Sequence, residues 1–246
     1  MKGGGEEKVK VIEKILALLA ALSLITVLLI SAAEAAVYMD FNYYQKEYEK
    51  YEVLNELQMS MDDVMDVTHK MMSYLRGDRE ELSVITEVDG RKQDFFNEQD
   101  RFHMEEVRNI FCKALEIRRI AIIFFLVSMF ILFIVKADWK RYVAVGYIWI
   151  TGMLTVAAGG LAVLMMRNFN QCFVIFHEIF FDNDLWMFDP ETDYMIRMLP
   201  EGLFADFAAR IGLFAGGVLL IFLIIAIILY RMAKKKQEDR ELFCIS

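Results

Sequence analysis

Four stretches of the chain run without a charged residue for long enough to cross a bilayer: 15–33, 120–135, 142–166 and 211–230. They hold 19, 16, 25 and 20 residues, against the roughly 17–25 that a spanning helix needs. The second run is short, but Arg118, Arg119 and Lys136 at its ends can lay their stems along apolar surface and keep their charges in the interface. Ala33, Ala35 and Ala36 near the end of the first run resemble a signal-peptidase site. That run is long for a signal peptide, and the other three spans need a partner to pack against. It is therefore expected to remain as the first span.

The polar stretches between the spans carry their own element signals. Tyr38, Phe41, Tyr44, Tyr48 and Tyr51 recur at helical spacing, so the first span is expected to continue as a helix. Its aromatics would serve as an interfacial belt and as core. Ser60 with Asp63 three residues on is an N-cap signature for a helix to about Leu75, stopped by Gly77. Residues 82–88 and 91–95 flank Asp89-Gly90, which suits a type I′ hairpin turn. A further helix is expected from about Asn97, with Asp100 at N3 and no breaker before the second span. The helix of the third span is expected to continue to about Phe181. Asp189 followed by Pro190 predicts a helix start, running to Met198 and bearing Arg197. Trp186, Phe188 and Met195 are candidates for the headgroup layer.

Charge sets the orientation. The segments 1–14, 136–141 and 231–246 carry twelve of the 27 Lys and Arg residues, the enrichment that marks cytoplasmic loops. Segments 38–117 and 168–209 hold eleven basic against twenty-seven acidic residues and are assigned outside. The expected architecture is an all-α membrane protein: a four-transmembrane-helix bundle with a small, mainly helical extracytoplasmic domain that includes a β-hairpin. Its parts are a cytoplasmic N-terminus (1–14), spans at 15–37, 118–136, 142–167 and 210–230, a cytoplasmic turn (137–141), extracytoplasmic segments at 38–117 and 168–209, and a cytoplasmic tail (231–246). Both termini lie inside. Hydrophobic residues make up 57% and mean hydropathy is +0.36, which leaves little room for an ordinary soluble globule. A net charge of −8 argues against a nucleic-acid partner. Three cysteines are too few for a disulfide scaffold. Cys112 and Cys172 fall near the outer face, as a disulfide or as two buried thiols. Cys244 lies in a tail ending Cys-Ile-Ser, one residue short of a prenylation box.

Two of the three histidines carry the candidate chemistry. His103, Val107, Ile110 and Ala114 share one helix face, which places His103 at the outer end of an apolar stripe with Glu106 one turn on. His177 sits among Phe173, Phe176, Phe180 and Phe181. His69 lacks such a setting. A zincin motif is absent, because His177-Glu178 is followed at the second histidine position by Phe181. No Gly-x-Ser-x-Gly occurs, and neither outer cysteine has a nucleophile's context. A histidine pair without an evident nucleophile suits a reaction whose nucleophile belongs to the substrate. An imidazole near its ordinary pKa of about 6.5 can take a proton at neutral pH. The second can hold or protonate the other reacting group. At an outer bilayer surface walled by phenylalanine, the matching substrate is a lipid or a lipidated protein.

Glu98-x-x-x-x-His103-Met-x-x-Val107 and Phe176-His177-x-x-Phe180-x-x-x-x-x-Trp186-x-x-Asp189-Pro190, set in four spans, resemble a family of integral membrane proteins of Gram-positive bacteria that contains the lipoprotein intramolecular transacylases. The resemblance implies an enzyme that moves the sn-2 acyl chain of a diacylglyceryl lipoprotein to the α-amine of its own N-terminal cysteine, giving the lyso form. It implies His103 and His177 as the catalytic residues. Phe102, Glu106, Phe176, Trp186 and Arg197 complete the candidate site as substrate-binding residues. Expected partners are diacylglyceryl lipoproteins and membrane lipids, with no cofactor and no metal. Two other readings compete: a membrane hydrolase using the two histidines with a metal, and a non-catalytic scaffold with an acidic outer domain.

Overall fold

A computed structural model describes residues 3–245, and they divide into two compact units. The first takes the chain up to Ala33, Glu116–Leu161 and the chain from Leu213. The second takes Glu34–Leu115 and Ala162–Gly212. In chain order the elements are α1 (Gly3–Tyr38), α2 (Asn42–Lys50), α3 (Val53–Leu57), α4 (Met61–Arg76), β1 (Ile85–Val88), β2 (Arg91–Asp94), α5 (Glu98–Ile134), α6 (Trp139–Arg167), α7 (Phe169–Phe180), α8 (Tyr194–Met198) and α9 (Glu201–Ile245).

Among the described residues four helices are long and apolar enough to cross a membrane: Val9–Tyr38, Glu98–Ile134, Trp139–Arg167 and Glu201–Asp239. In the first unit their contacts use small side chains. Ala21, Ile25 and Leu28 of α1 pack with Ala144 and Tyr147 of α6 and Ala226 of α9. Gly146 lets α6 approach α1, since a Cβ there would stand 3.3 Å from that of Ala21. Small residues allow such backbone approach where lipid offers no hydrophobic drive to association. The Tyr147 hydroxyl donates to the Leu219 carbonyl at 3.1 Å, so its polar end is satisfied.

The second unit has a core of its own. Tyr44 and Tyr48 of α2, Leu57 of α3, Val64, Val67 and Met71 of α4, Phe95, Phe96 and Met198 are all buried there. The aromatic periodicity after the first span is thus core packing. The Tyr48 hydroxyl meets Thr68 Oγ1 at 2.7 Å. Ser60 caps α4, its Oγ accepting from the Asp63 N–H at 3.2 Å, and Gly77 ends the helix at φ +89°. The hairpin turns as expected. Asp89 and Gly90 both take positive φ (51° and 69°), the type I′ pattern, and Val88 pairs with Arg91. Its strands are shorter than the alternation suggests, because the Asp94 carboxylate takes the Val84 N–H at 3.0 Å outside the ladder.

Three expectations need correction. The helix of the first span does not continue into the aromatic segment: it ends at Tyr38, and Asp40 Oδ1 takes the Asn42 N–H at 3.1 Å to start α2 afresh. The third long helix likewise ends at Arg167, and Asn168 caps a new helix, α7, by accepting from the Gln171 N–H at 3.1 Å. Asn and Asp side chains offer the backbone a local alternative to helix, which apolar periodicity does not register. Asp189-Pro190 opens a turn, with the Thr192 and Asp193 N–H groups on the Asp189 carbonyl at 3.0 and 2.8 Å. The helix begins only at Tyr194 and is five residues long. Met195 is buried in the core of this unit. Cys244 lies outside the residues whose side chains are described.

Candidate active site

His103 is held by the first turns of α5, whose start is fixed by reciprocal capping. The Asn97 N–H donates to Asp100 Oδ2 and the Asp100 N–H to Asn97 Oδ1, each at 2.9 Å. His177 lies near the end of α7. The two imidazoles are 6% and 8% exposed, stacked at 27° with centroids 5.9 Å apart. Aromatic rings wall them. Phe181 is 4.8 Å from His103 and 5.5 Å from His177, and Phe188 meets His103 at 5.4 Å. Trp186 stacks on His177 at 4.8 Å, and Phe173 lies 4.1 Å from it.

Hydrogen bonding distinguishes the rings. His177 Nδ1 is 2.7 Å from the Phe173 carbonyl. A carbonyl only accepts, so Nδ1 carries the proton and Nε2 presents the lone pair. His103 Nδ1 is buried with no hydrogen-bond partner among the described residues. Buried polar atoms without a partner are uncommon and call for an explanation, such as a substrate group. Glu105, Glu106, Arg108, Lys113, Glu116, Arg118 and Arg119 lie between His103 and the charge-free run of α5 at 120–135. Burial, aided by the neighbouring His177, pushes His103 down to about 4. Burial also lowers His177, partly offset by the Phe173 carbonyl. Both rings are therefore neutral at pH 7.

A depressed histidine pKa binds stability to pH. The unfolded chain takes up the proton first, near pH 6.5, so the contribution is complete above that value and is lost as pH falls toward the folded value. For His103 the loss between pH 7.5 and pH 5 is about 2 kcal/mol. Thermal unfolding in detergent should show a midpoint that falls over this window, and His103→Gln should flatten the fall. An unchanged pH dependence in that variant would place the acid-sensitive group elsewhere.

The sequence-predicted substrate residues separate. Phe176, 49% exposed, sets its ring edge against His177 at 5.4 Å, and Trp186 belongs to the wall. Glu106 accepts from Asn183 Nδ2 at 2.8 Å. Phe102, 48% exposed, instead lines an open groove with Tyr74, Leu82 and Glu105. Arg197 is committed to structure. Its guanidinium grips the Asp89 carboxylate at 3.1 and 2.8 Å and the Glu56 carbonyl at 2.7 Å, joining α8 to α3 and the hairpin turn. Cys112 and Cys172 are both free thiols. His69 is exposed and stacks on Phe41 at 4.2 Å.

Sequence reasoning missed the residues that place the 182–193 loop. Gln99 Nε2 donates to the Leu185 and Met187 carbonyls at 3.0 and 3.2 Å. Asn183 reaches Glu106 and also takes the Leu185 N–H at 2.9 Å. Buried Asp193 takes the Asp189 N–H at 2.8 Å and the Asn97 side-chain amide. The polar character of Asn183 and Asp193 near Trp186 was the one available signal, and it gave no partner.

Four membrane-length helices and a buried histidine pair, with no Ser, Thr or Cys hydrogen-bonded to either ring among the described residues, characterise a polytopic membrane protein. The family model of the lipoprotein intramolecular transacylase Lit matches residues 18–204, about three quarters of the chain. The chain belongs to that family and is an acyltransferase. Among solved structures, the membrane-integral lipoprotein intramolecular transacylase Lit of Bacillus cereus is 24% identical, with a TM-score of 0.67 over 93% of this chain and 98% of that one. A histidine-to-alanine variant of that protein gives 24% and 0.66 over 93% and 96%. A histidine-to-arginine variant gives 24% and 0.68 over 96% and 99%. The likeness shows a shared fold. No curated protein matches the chain.

Proposed function

We propose that this transacylase moves the sn-2 acyl chain of a diacylglyceryl lipoprotein to the α-amine of its N-terminal cysteine, with His103 and His177 as the catalytic pair. The carrying observation is two buried imidazoles 5.9 Å apart, one whose Nδ1 meets the Phe173 carbonyl and so leaves Nε2 as its base nitrogen, the other with a buried unpartnered nitrogen. The reacting amine has a reference pKa of about 8, so it enters largely as ammonium and must release one proton to the solvent. Its nitrogen then attacks the sn-2 ester carbonyl. His177 Nε2 takes the second proton as the C–N bond forms, and the Trp186 face beside it favours the resulting imidazolium. His103 donates a hydrogen bond to the carbonyl oxygen as that oxygen gains charge. The C–O bond to glycerol breaks, and His177 returns its proton to the glycerol oxygen. The ester is replaced by an amide and the enzyme regains its starting protonation. Donor and acceptor share one molecule, so the aromatic walls chiefly position the reacting groups.

The proposed setting is the outer face, with both termini in the cytoplasm, supported by the enrichment of Lys and Arg in 1–14, 136–141 and 231–246. Single cysteines introduced in 38–117 should then react with an impermeant reagent on intact cells, and reaction only after lysis would reverse the orientation. For the hydrolase reading a third donor would be needed beside the imidazoles. Among the described residues no three His, Cys, Asp or Glu side chains gather as a metal site.

Mass spectrometry separates the reactions directly. Acyl transfer within one molecule is an isomerisation. Purified protein should convert a diacylglyceryl lipopeptide to a product of unchanged mass that no longer reacts with amine reagents and whose fragments carry the acyl chain on nitrogen. Loss of an acyl chain's mass with a free amine retained would make the protein a hydrolase.

A further inference from the structure

We infer that Glu106 receives the α-ammonium of the substrate's N-terminal cysteine and thereby selects chains with a free amino terminus. The inference rests on the transacylase reading above. Glu106 stands one turn of α5 beyond His103, on the side where the 182–193 loop closes over the site. One carboxylate oxygen, Oε1, accepts from Asn183 Nδ2 at 2.8 Å. The other, Oε2, is buried and has no hydrogen-bond partner among the described residues. The neighbouring cations of α5 are engaged elsewhere. Arg101 pairs with Asp94 at 2.7 Å, and Arg108 lies over the Tyr74 ring at 4.7 Å and donates to the Glu80 carbonyl at 3.3 Å.

A buried carboxylate oxygen with only an amide on its twin is short of a donor, and a cation is the strongest donor it can take. The substrate's ammonium has the complementary charge and three N–H donors. At Oε2 the ammonium would stand one turn of α5 from His103, the first imidazole of the pair. The same contact distinguishes substrate from product. Once acylated, the nitrogen is a neutral amide with a single N–H, and the attraction to Glu106 is lost, which favours release. Asn183 then has a second role: its bond to Oε1 holds the carboxylate in place while it carries the loop with Trp186 and Phe188.

Binding to a non-reacting protein tests this. In a His177→Gln background, the probes are two diacylglyceryl cysteine peptides, one with a free amine and one N-acetylated. The free amine should bind about 10- to 100-fold more tightly, the range of a charge-assisted hydrogen bond. Adding Glu106→Gln keeps an oxygen for Asn183 but removes the charge, and the ratio should fall to near one. Asn183→Ala should weaken both ligands through the loop, and the free amine more, because the Glu106 carboxylate also loses its anchor. Without any substitution at position 106, the advantage should fade as pH rises through the amine's pKa of about 8. This measurement does not depend on the folding of a Glu106 variant. A ratio near one at pH 7, or a ratio untouched by Glu106→Gln, overturns the inference. If the wild-type enzyme isomerises the lipopeptide all the same, the transacylase reading stands without it. If the wild-type enzyme fails to do so, that reading fails first.

Discussion

Replacing His177 by glutamine should lower the rate of lyso-form production by about 10²–10⁴-fold, the usual contribution of a positioned general base, and replacing His103 by glutamine, which moves the donor off its place, by about 10²–10³-fold, the usual cost at an oxyanion donor. The double variant should be little slower than the worse single one, because the two rings act on one transition state. Glutamine is the informative replacement. Both histidines are buried and each meets several aromatic rings, so alanine would open a void in the wall as well as remove the chemistry. A drop in stability would then be read as a drop in turnover. His69→Gln, by contrast, should retain near wild-type activity, since that ring is exposed and stacked on Phe41. The idea of a catalytic pair is lost if both folded, membrane-inserted glutamine variants still isomerise the lipopeptide at the wild-type rate.

The second large effect concerns a residue with no part in the chemistry. Asp193 is buried, and its carboxylate gathers the Asp189 N–H, the Thr192 hydroxyl at 3.3 Å and the Asn97 side chain. Asn97 is also the cap of α5, the helix that carries His103. The loop that ends at Asp193 brings Trp186 onto His177 and Phe188 onto His103. Asp193→Ala leaves a backbone N–H and an amide without acceptors, at about 2–3 kcal/mol of stability. Relief of the repulsion with buried Asp100, which burial and Asp193 together push up to about 6, offsets part of this. The rate should fall about 10²-fold through misplacement of the wall by an ångström or so. Asp193→Asn, which keeps one carbonyl acceptor, should recover part of both. Thermal unfolding and turnover measured on the same preparations decide it. Wild-type values for Asp193→Ala in both would show that the loop is placed without this carboxylate.

These expectations rest on features of unequal legibility. The four long helices were readable because a membrane span is a local property: some twenty residues without charge suffice, whatever packs against them. The caps at Ser60, Asn97 and Gly77 and the Asp89-Gly90 turn were readable for the same reason, since each bond closes within a few residues. His103 and His177 stood out as polar residues on apolar faces. The errors fell where a short polar side chain competed with a periodic pattern. Asp40 and Asn168 divide runs that apolar spacing reads as continuous, and Asp189 uses its carbonyl and carboxylate for a turn in place of a helix cap.

By itself the sequence determined the class of the protein, the elements of its membrane helices and the two histidines to examine. Those follow from composition, periodicity and caps, which act over one or two turns. Only the tertiary structure decided that the two rings stack at 5.9 Å, that His177 presents Nε2, that Arg197 clasps the hairpin turn, and that Gln99, Asn183 and Asp193 hold the loop over the site. Each of these joins residues roughly 70 or more positions apart, except the His177 bond and the Asp193 bond to Asp189, which close within four residues. A long-range contact depends on how helices pack and where the loop closes, and nothing in the local order of residues specifies the partner.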